Sequence, residues 1–158
     1  VESYLNEGTT VRLFIPVSRK EWELTESNLE YKKDARILIM DDNPHVIETA
    51  GDILEDEGFR VAFALDGKET IEKYKDAQDQ KNPFDLVIMD LTIPGGMGGK
   101  EAVELLKKHD PDAKVIASSG YSNDPVMAYY HRYGFSAVVS KPYVATSLLQ
   151  AVKRVLGS

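Results

Sequence analysis

The sequence predicts an α/β domain over residues 35–158, a doubly wound sheet of five parallel strands with helices on both faces. Two observations carry this. Short apolar, β-rich runs alternate with segments whose apolar residues recur at helical spacing, and such alternation implies parallel strands joined by right-handed crossovers. Three of the runs, "RILIM", "DLVIM" and "KVIAS", are apolar throughout instead of at every second position, as in a sheet covered on both faces.

The elements follow in order. "ARILIM" (35–40) is the first strand. "PHVIETAGDILEDEG" then places Val46, Ile47, Ala50, Ile53 and Leu54 at helical spacing, with Asn43 as N-cap, Pro44 at the first helical position and Gly58 as the stop. "FRVAFA" (59–64) is the second strand and "GKETIEKYKDA" a mostly polar helix. "FDLVIM" (84–89) is the third strand, and "GKEAVELLKKHD" a helix ended by Pro111. "AKVIAS" (113–118) is the fourth strand. "DPVMAYYHRYG" reads as one helix capped by Asp124, started by Pro125 and closed by Gly134. "SAVVS" (136–140) is the fifth strand, and "ATSLLQAVKRVL" a final helix with Leu148, Leu149, Val152, Val155 and Leu156 on one face.

Composition shifts before residue 35. Residues 17–34 are strongly charged with scattered apolar positions, which reads as a linker. In "GTTVRLFIP", Val11, Leu13 and Ile15 alternate with Thr10, Arg12 and Phe14 until Pro16, a strand pattern closed by a residue that cannot donate to a ladder. A lone strand cannot bury its apolar face, so this one docks elsewhere or belongs to a neighbouring domain.

Bulk properties remove several function classes. The net charge is −7 and no basic stripe is present, which argues against direct nucleic-acid binding, since phosphates demand clustered Lys and Arg. Cysteine is absent, which excludes disulfides, thiolate catalysis and cysteine metal sites and fits the cytoplasm. No apolar run is long enough to span a bilayer, so no direct membrane contact is expected.

In a doubly wound sheet, ligands bind at the carboxyl ends of the strands. There the first strand ends in Asp41-Asp42, the third in Asp90, the fourth in Ser118-Ser119 and the fifth in Ser140-Lys141. Ionised carboxylates brought to ~4 Å repel by roughly 4 kcal/mol per pair at an effective dielectric of about 20. A proton or cation must offset that. Lys141 offers one charge and a divalent ion two, and Mg²⁺ favours a few carboxylates with waters and phosphate oxygens. The expected site is a Mg²⁺ pocket suited to phosphoryl chemistry.

Taken together, "ILIMDDNP", "DLVIMDLTIPGGMGG", "VIASSG" and "SKP" resemble the receiver domain of bacterial two-component response regulators over residues 35–158. The resemblance implies a flavodoxin-like sheet in the order 2-1-3-4-5. It implies that Asp90 takes a phosphoryl group from phosphohistidine on a partner, either a histidine-phosphotransfer domain or the parent kinase's own phosphohistidine domain. Asp41 and Asp42 would hold Mg²⁺, with the Asp90 carboxylate and the Thr92 carbonyl completing the ligand set. Lys141 would pair with the phosphoryl oxygens, and Ser118 would hydrogen-bond the phosphoryl group and move toward it. The Lys141–Pro142 bond resembles one that is cis in the family. The glycines of "IPGGMGG" would leave room for the phosphoryl group, with Gly95 and Gly96 free to adopt positive φ and Met97 packed locally or on a partner.

"VESYLNEGTTVRLFIPVS" resembles the end of a histidine-kinase ATP-binding domain over residues 1–16. The combined expectation is the C-terminal piece of a hybrid histidine kinase, whose parent resembles a histidine protein kinase (a transferase) and could be membrane-anchored, while the receiver phosphorylates itself without being a turnover enzyme. With no DNA-binding segment after residue 158, output is expected by phosphorelay or feedback on the kinase core.

Plainer readings exist for each residue taken singly: Asp41 and Asp42 as helix caps, Asp90 as a solvated acid, Lys141 as a surface charge. Their matching strand ends outweigh these. Two other functions compete, an aspartate-nucleophile phosphatase and an unphosphorylated interaction module. Phosphatases of the haloacid-dehalogenase type want a second acid two residues on, where Thr92 stands. The sequence also departs from many receivers at Val138, where an aromatic residue is common. Thr92 and Gly120, two beyond Asp90 and Ser118, offer no carboxylate or amide to orient water, so the acyl phosphate is expected to be long-lived.

Overall fold

The computed structural model describes residues 30–158 and the backbone of two short strands, β1 (Glu2–Ser3) and β2 (Thr9–Thr10). These two pair antiparallel, Glu2 opposite Thr10 and Ser3 opposite Thr9. The alternating run from Val11 to Ile15 and the charged stretch 17–29 lie outside the described residues.

From Arg36 onward strands and helices alternate as the apolar runs dictate: β3 (Arg36–Met40), α1 (Pro44–Asp56), β4 (Arg60–Ala64), α2 (Gly67–Asp79), β5 (Leu86–Asp90), α3 (Gly99–His109), β6 (Val115–Ser119), α4 (Pro125–Tyr129), β7 (Ala137–Ser140) and α5 (Ala145–Leu156). The sheet is parallel throughout in the order β4-β3-β5-β6-β7, which is 2-1-3-4-5 counted from the first strand of the domain. That is the flavodoxin-like arrangement. Every residue of β5 and β6 is buried, as expected of central strands covered on both faces.

Strand alternation splits the core in two. Leu38, Met40, Val87, Met89, Val115 and Ala117 pack with Tyr74 of α2 and Val103 and Leu106 of α3. Ile37, Ile39, Ile88 and Ile116 pack on the opposite face with Leu54 of α1 and Leu148 and Val152 of α5. Each fully buried Ile or Leu stabilises the fold by about 1.5–3 kcal/mol.

Caps set the helix starts. Asn43 Oδ1 accepts from His45 N at 3.0 Å, with Pro44 at the first helical position. Asp66 Oδ1 accepts from Glu69 N at 2.9 Å while Glu69 Oε2 takes Leu65 N at 2.7 Å, a reciprocal closure of the α2 start. Gly58 (φ 97°) and Gly134 (φ 91°) occupy left-handed positions at two helix ends.

The expected single helix over 124–134 is divided. α4 stops at Tyr129, and Tyr130–Tyr133 form a 3₁₀ turn. Val126 is the one buried residue of α4, and none of the turn is buried, so little packing sustains a regular helix through three tyrosines. Residues just before β3 also make contacts. Tyr31 packs beside Phe59 with ring centroids 5.9 Å apart, and Lys32 pairs with Asp85 at 3.1 Å. Among the described residues no helix is long and apolar enough to cross a membrane.

Candidate functional site

Parallel pairing carries the carboxyl ends of β3, β5, β6 and β7 to one rim. Main-chain bonds align them there: Asp41 N donates to Ala64 O at 3.1 Å, Leu91 N to Ser118 O at 3.0 Å and Lys141 N to Ser119 O at 2.9 Å. A cavity of about 500 Å³ opens at this rim, lined by Asp41, Asp42, Asn43, Asp90, Thr92, Pro94, Gly120, Tyr121 and Lys141.

The acids meet as the strand ends predict. Asp41, Asp42 and Asp90 each offer a carboxylate oxygen within 4.8 Å of the others. Asp41 is 1% exposed and Asp90 7%, while Asp42 faces solvent. Lys141 Nζ lies 2.7 Å from Asp41 Oδ2 and 2.7 Å from Asp90 Oδ2. The second oxygens are held by backbone: Asn43 N donates to Asp41 Oδ1 at 2.9 Å, and Thr92 N to Asp90 Oδ1 at 3.2 Å.

Burial pushes the Asp90 carboxyl above the ordinary carboxylate range. The Lys141 ammonium and the Thr92 N–H pull it back without cancelling the rise, and the Asp41 charge adds to it. Burial alone would lower Lys141, but its hydrogen bonds to Asp41 and Asp90 outweigh burial and hold it above its usual value. One ammonium among three carboxylates leaves excess negative charge, and every acidic donor is a hard oxygen. That donor set fits Mg²⁺, with Asp41, Asp42 and Asp90 as the side chains that would hold it.

Of the expected site residues, the rim gathers Asp41, Asp42, Asp90, Thr92 and Lys141. It does not gather Ser118. That side chain is 0% exposed, and its Oγ lies 2.7 Å from the Tyr143 hydroxyl below the cavity. Parity does not separate Ser118 from the acids, since its register partner Asp90 projects to the same face; its hydroxyl is engaged by Tyr143 instead. Ser118 shares a face with Ile116, toward α1 and α5, whereas its neighbour Ser119 points oppositely and hydrogen-bonds Tyr121 N at 3.0 Å. Ser119, Tyr121 and Tyr143 carry little signal in the sequence; for the first two it is the S-G-Y step at the end of a central strand.

The glycine-rich loop also differs in detail. Gly95 takes positive φ (74°) and Gly96 does not. The tight positions are Gly98 and Gly99, where an added Cβ would stand 2.4 Å from Leu91 O and 2.7 Å from Asp90 O. Met97 packs locally, against the core and the first residue of α2. The Lys141–Pro142 peptide bond is cis.

Comparison with known proteins agrees with the fold. The family model described as the response regulator receiver domain matches residues 37–153. The chain is 31% identical over 121 residues to the chemotaxis protein CheY of Thermotoga maritima, covering 76% of this chain and 96% of that protein. It is 32% identical over 124 residues to the CAI-1 autoinducer sensor kinase/phosphatase CqsS of Vibrio cholerae, covering 77% of this chain but 17% of that protein. A CheY-like receiver domain structure from Methanospirillum hungatei superposes with a TM-score of 0.68 at 30% identity, covering 78% of this chain and 94% of that one. With its sheet order, its acidic rim and this match over most of its length, the chain belongs to the response regulator receiver domain family.

Proposed function

We propose that this receiver domain accepts a phosphoryl group on Asp90 from a phosphohistidine, with Mg²⁺ bound by Asp41, Asp42, Asp90 and the Thr92 carbonyl, and changes conformation in response. One observation carries the reading: a single ammonium, Lys141, bridges Asp41 and Asp90 at 2.7 Å each on the floor of an acidic cavity. An Asp90 carboxylate oxygen forms the new O–P bond. The P–N bond of the donor breaks, and its electron pair stays on the imidazole nitrogen. Phosphoryl transfer asks mainly for positioning and charge cancellation. Mg²⁺ would supply charge neutralisation at the phosphoryl oxygens. Lys141 supplies a further positive charge once it exchanges its carboxylate contact for a phosphoryl oxygen. The hydroxyl contribution expected of Ser118 is better assigned to Ser119. Its bond to Tyr121 N is local, and the Gly120-Tyr121 loop lines the cavity.

The donor is a histidine-phosphotransfer domain or a kinase phosphohistidine domain. Residues 1–16 as the end of a kinase ATP-binding domain, residues 17–34 as a linker, a hybrid-kinase parent and a cytoplasmic location for this part of it complete the proposal. With the hydroxyl role at Ser119, the positions two beyond Asp90 and Ser119 are Thr92 and Tyr121, and neither side chain carries a carboxylate or amide to orient an attacking water. The acyl phosphate should therefore persist well beyond seconds in the presence of Mg²⁺, and decay within seconds would contradict this. Labelling with acetyl phosphate tests the main reading. Incorporation that stops in Asp90→Asn supports it, and incorporation that continues there requires another acceptor. Steady turnover of a phosphomonoester would favour a phosphatase instead.

A further inference from the structure

Beneath the cavity two hydroxyls meet. Ser118 Oγ and Tyr143 Oη are 2.7 Å apart. The Tyr143 ring packs on the core face shared with α1 and α5. Burial pushes the Tyr143 hydroxyl up to about 12, so it stays a neutral phenol near pH 7.

The place of this pair in the sheet gives it leverage. Ser118 is the register partner of Asp90 on one side and of Val139 on the other. Its carbonyl accepts from Leu91 N at 3.0 Å, and the next carbonyl, of Ser119, accepts from Lys141 N at 2.9 Å. β6 therefore ties together the two strand ends that carry the acid and the lysine. Pro142 has no N–H and cannot continue the ladder past Lys141. Tyr143 reaches back to β6 with its side chain instead. Lys141 is thus anchored on both sides, by its own N–H and by the residue two beyond it. Its side chain is 16% exposed, and its ammonium is centred between Asp41 and Asp90.

We propose that the Tyr143–Ser118 hydroxyl pair is a positioning device for Lys141, fixing the turn between β7 and α5 so that the ammonium stays aimed at Asp90. Its effect on phosphorylation rests on the reading of Asp90 as the acceptor; the positioning of Lys141 does not. A plainer role exists, in which the pair only satisfies two buried hydroxyls.

Tyr143→Phe, Ser118→Ala and the double variant separate the two roles. The readouts are the Lys141 ammonium resonance in a ¹H–¹⁵N spectrum, the phosphorylation rate with acetyl phosphate, the Mg²⁺ dissociation constant by calorimetry, and urea unfolding. Each single variant should shift or broaden the Lys141 signal and slow phosphorylation roughly tenfold, with the Mg²⁺ constant moving by less than about twofold, because a small misplacement of a charge-cancelling group acts on the transfer step. The double variant should regain stability, since neither hydroxyl is then left unpaired, while its rate and Lys141 signal remain those of the single variants. An unaltered Lys141 signal in the single variants, or a rate that returns with stability in the double variant, overturns the proposal. A wild-type protein that never takes label overturns the phosphoacceptor reading, while the Lys141 resonance still decides the positioning role.

Discussion

Strand β5 is flanked by two aspartates that meet opposite electrostatic fates. Asp85, just before the strand, accepts Arg36 N at 2.8 Å and Lys32 Nζ at 3.1 Å, and its side chain is 24% exposed. Asp90, the last residue of the strand, shares one lysine with Asp41 and has Asp42 close by. Asp85 has a lysine, a backbone donor and solvent to itself. Asp90 is buried above its ordinary carboxyl range with its charge incompletely cancelled. The residue type and the strand are the same, so the neighbours make the difference. The amino end of β5 meets Arg36 and Lys32; its carboxyl end meets the acids that follow β3. The proposed chemistry sits at the end where charge is left over.

That contrast can be broken, most strongly at the acids themselves. Asp90→Asn should abolish phosphate incorporation from acetyl phosphate, and Asp85→Asn should leave it at the wild-type level. Label retained in the first or lost in the second, read by intact-protein mass spectrometry, removes the distinction between the two ends.

The lysines give the next largest effect. Lys141→Ala leaves two buried acids facing each other and should cost up to about 3 kcal/mol in Mg²⁺-free urea unfolding, part of it regained on adding Mg²⁺. It should also uncouple phosphorylation from the amide shifts of the loop after Ser119. Lys32→Ala removes an exposed pair and should cost no more than about 1 kcal/mol. Equal costs would mean that the rim is no more crowded than the opposite end.

Metal binding sharpens the comparison further. Asp42→Asn should weaken Mg²⁺ roughly tenfold by calorimetry, in line with losses typical when a metal site is altered. An unchanged constant would leave Asp42 as a helix-cap neighbour only. The smallest expected effect is in pH. Because burial raises Asp90, protons compete for that oxygen from above the usual carboxylate range, so Mg²⁺ affinity should decline as pH falls from neutral. Affinity that stays flat down to pH about 4 would contradict this.

Much of this was legible beforehand, for physical reasons. β3, β5 and β6 announce themselves because burial on both faces demands unbroken apolar runs. Asp41, Asp42, Asp90 and Lys141 could be brought together on paper because parallel topology sends every carboxyl end to one rim. Ser118 was harder. Two adjacent serines end β6 and alternation sends them to opposite faces, but Asp90 shares the Ser118 face, so the pattern alone does not say which hydroxyl serves the site. Tyr143 left no local signal, since its role depends on meeting a residue 25 positions earlier in the chain. Helical spacing over 124–134 overstates the helix because it does not reveal that Val126 is buried while Tyr129 and Tyr133 remain exposed.

The central claim is that the crowding of acids around Asp90, made tolerable by a cation, readies that residue for phosphorylation. The most direct measurement is acetyl phosphate labelling with and without Mg²⁺, followed by mapping of the acyl phosphate. The account predicts Mg²⁺-dependent modification confined to Asp90. Label on another residue, or label on Asp90 that forms equally well after Mg²⁺ is chelated, would contradict it.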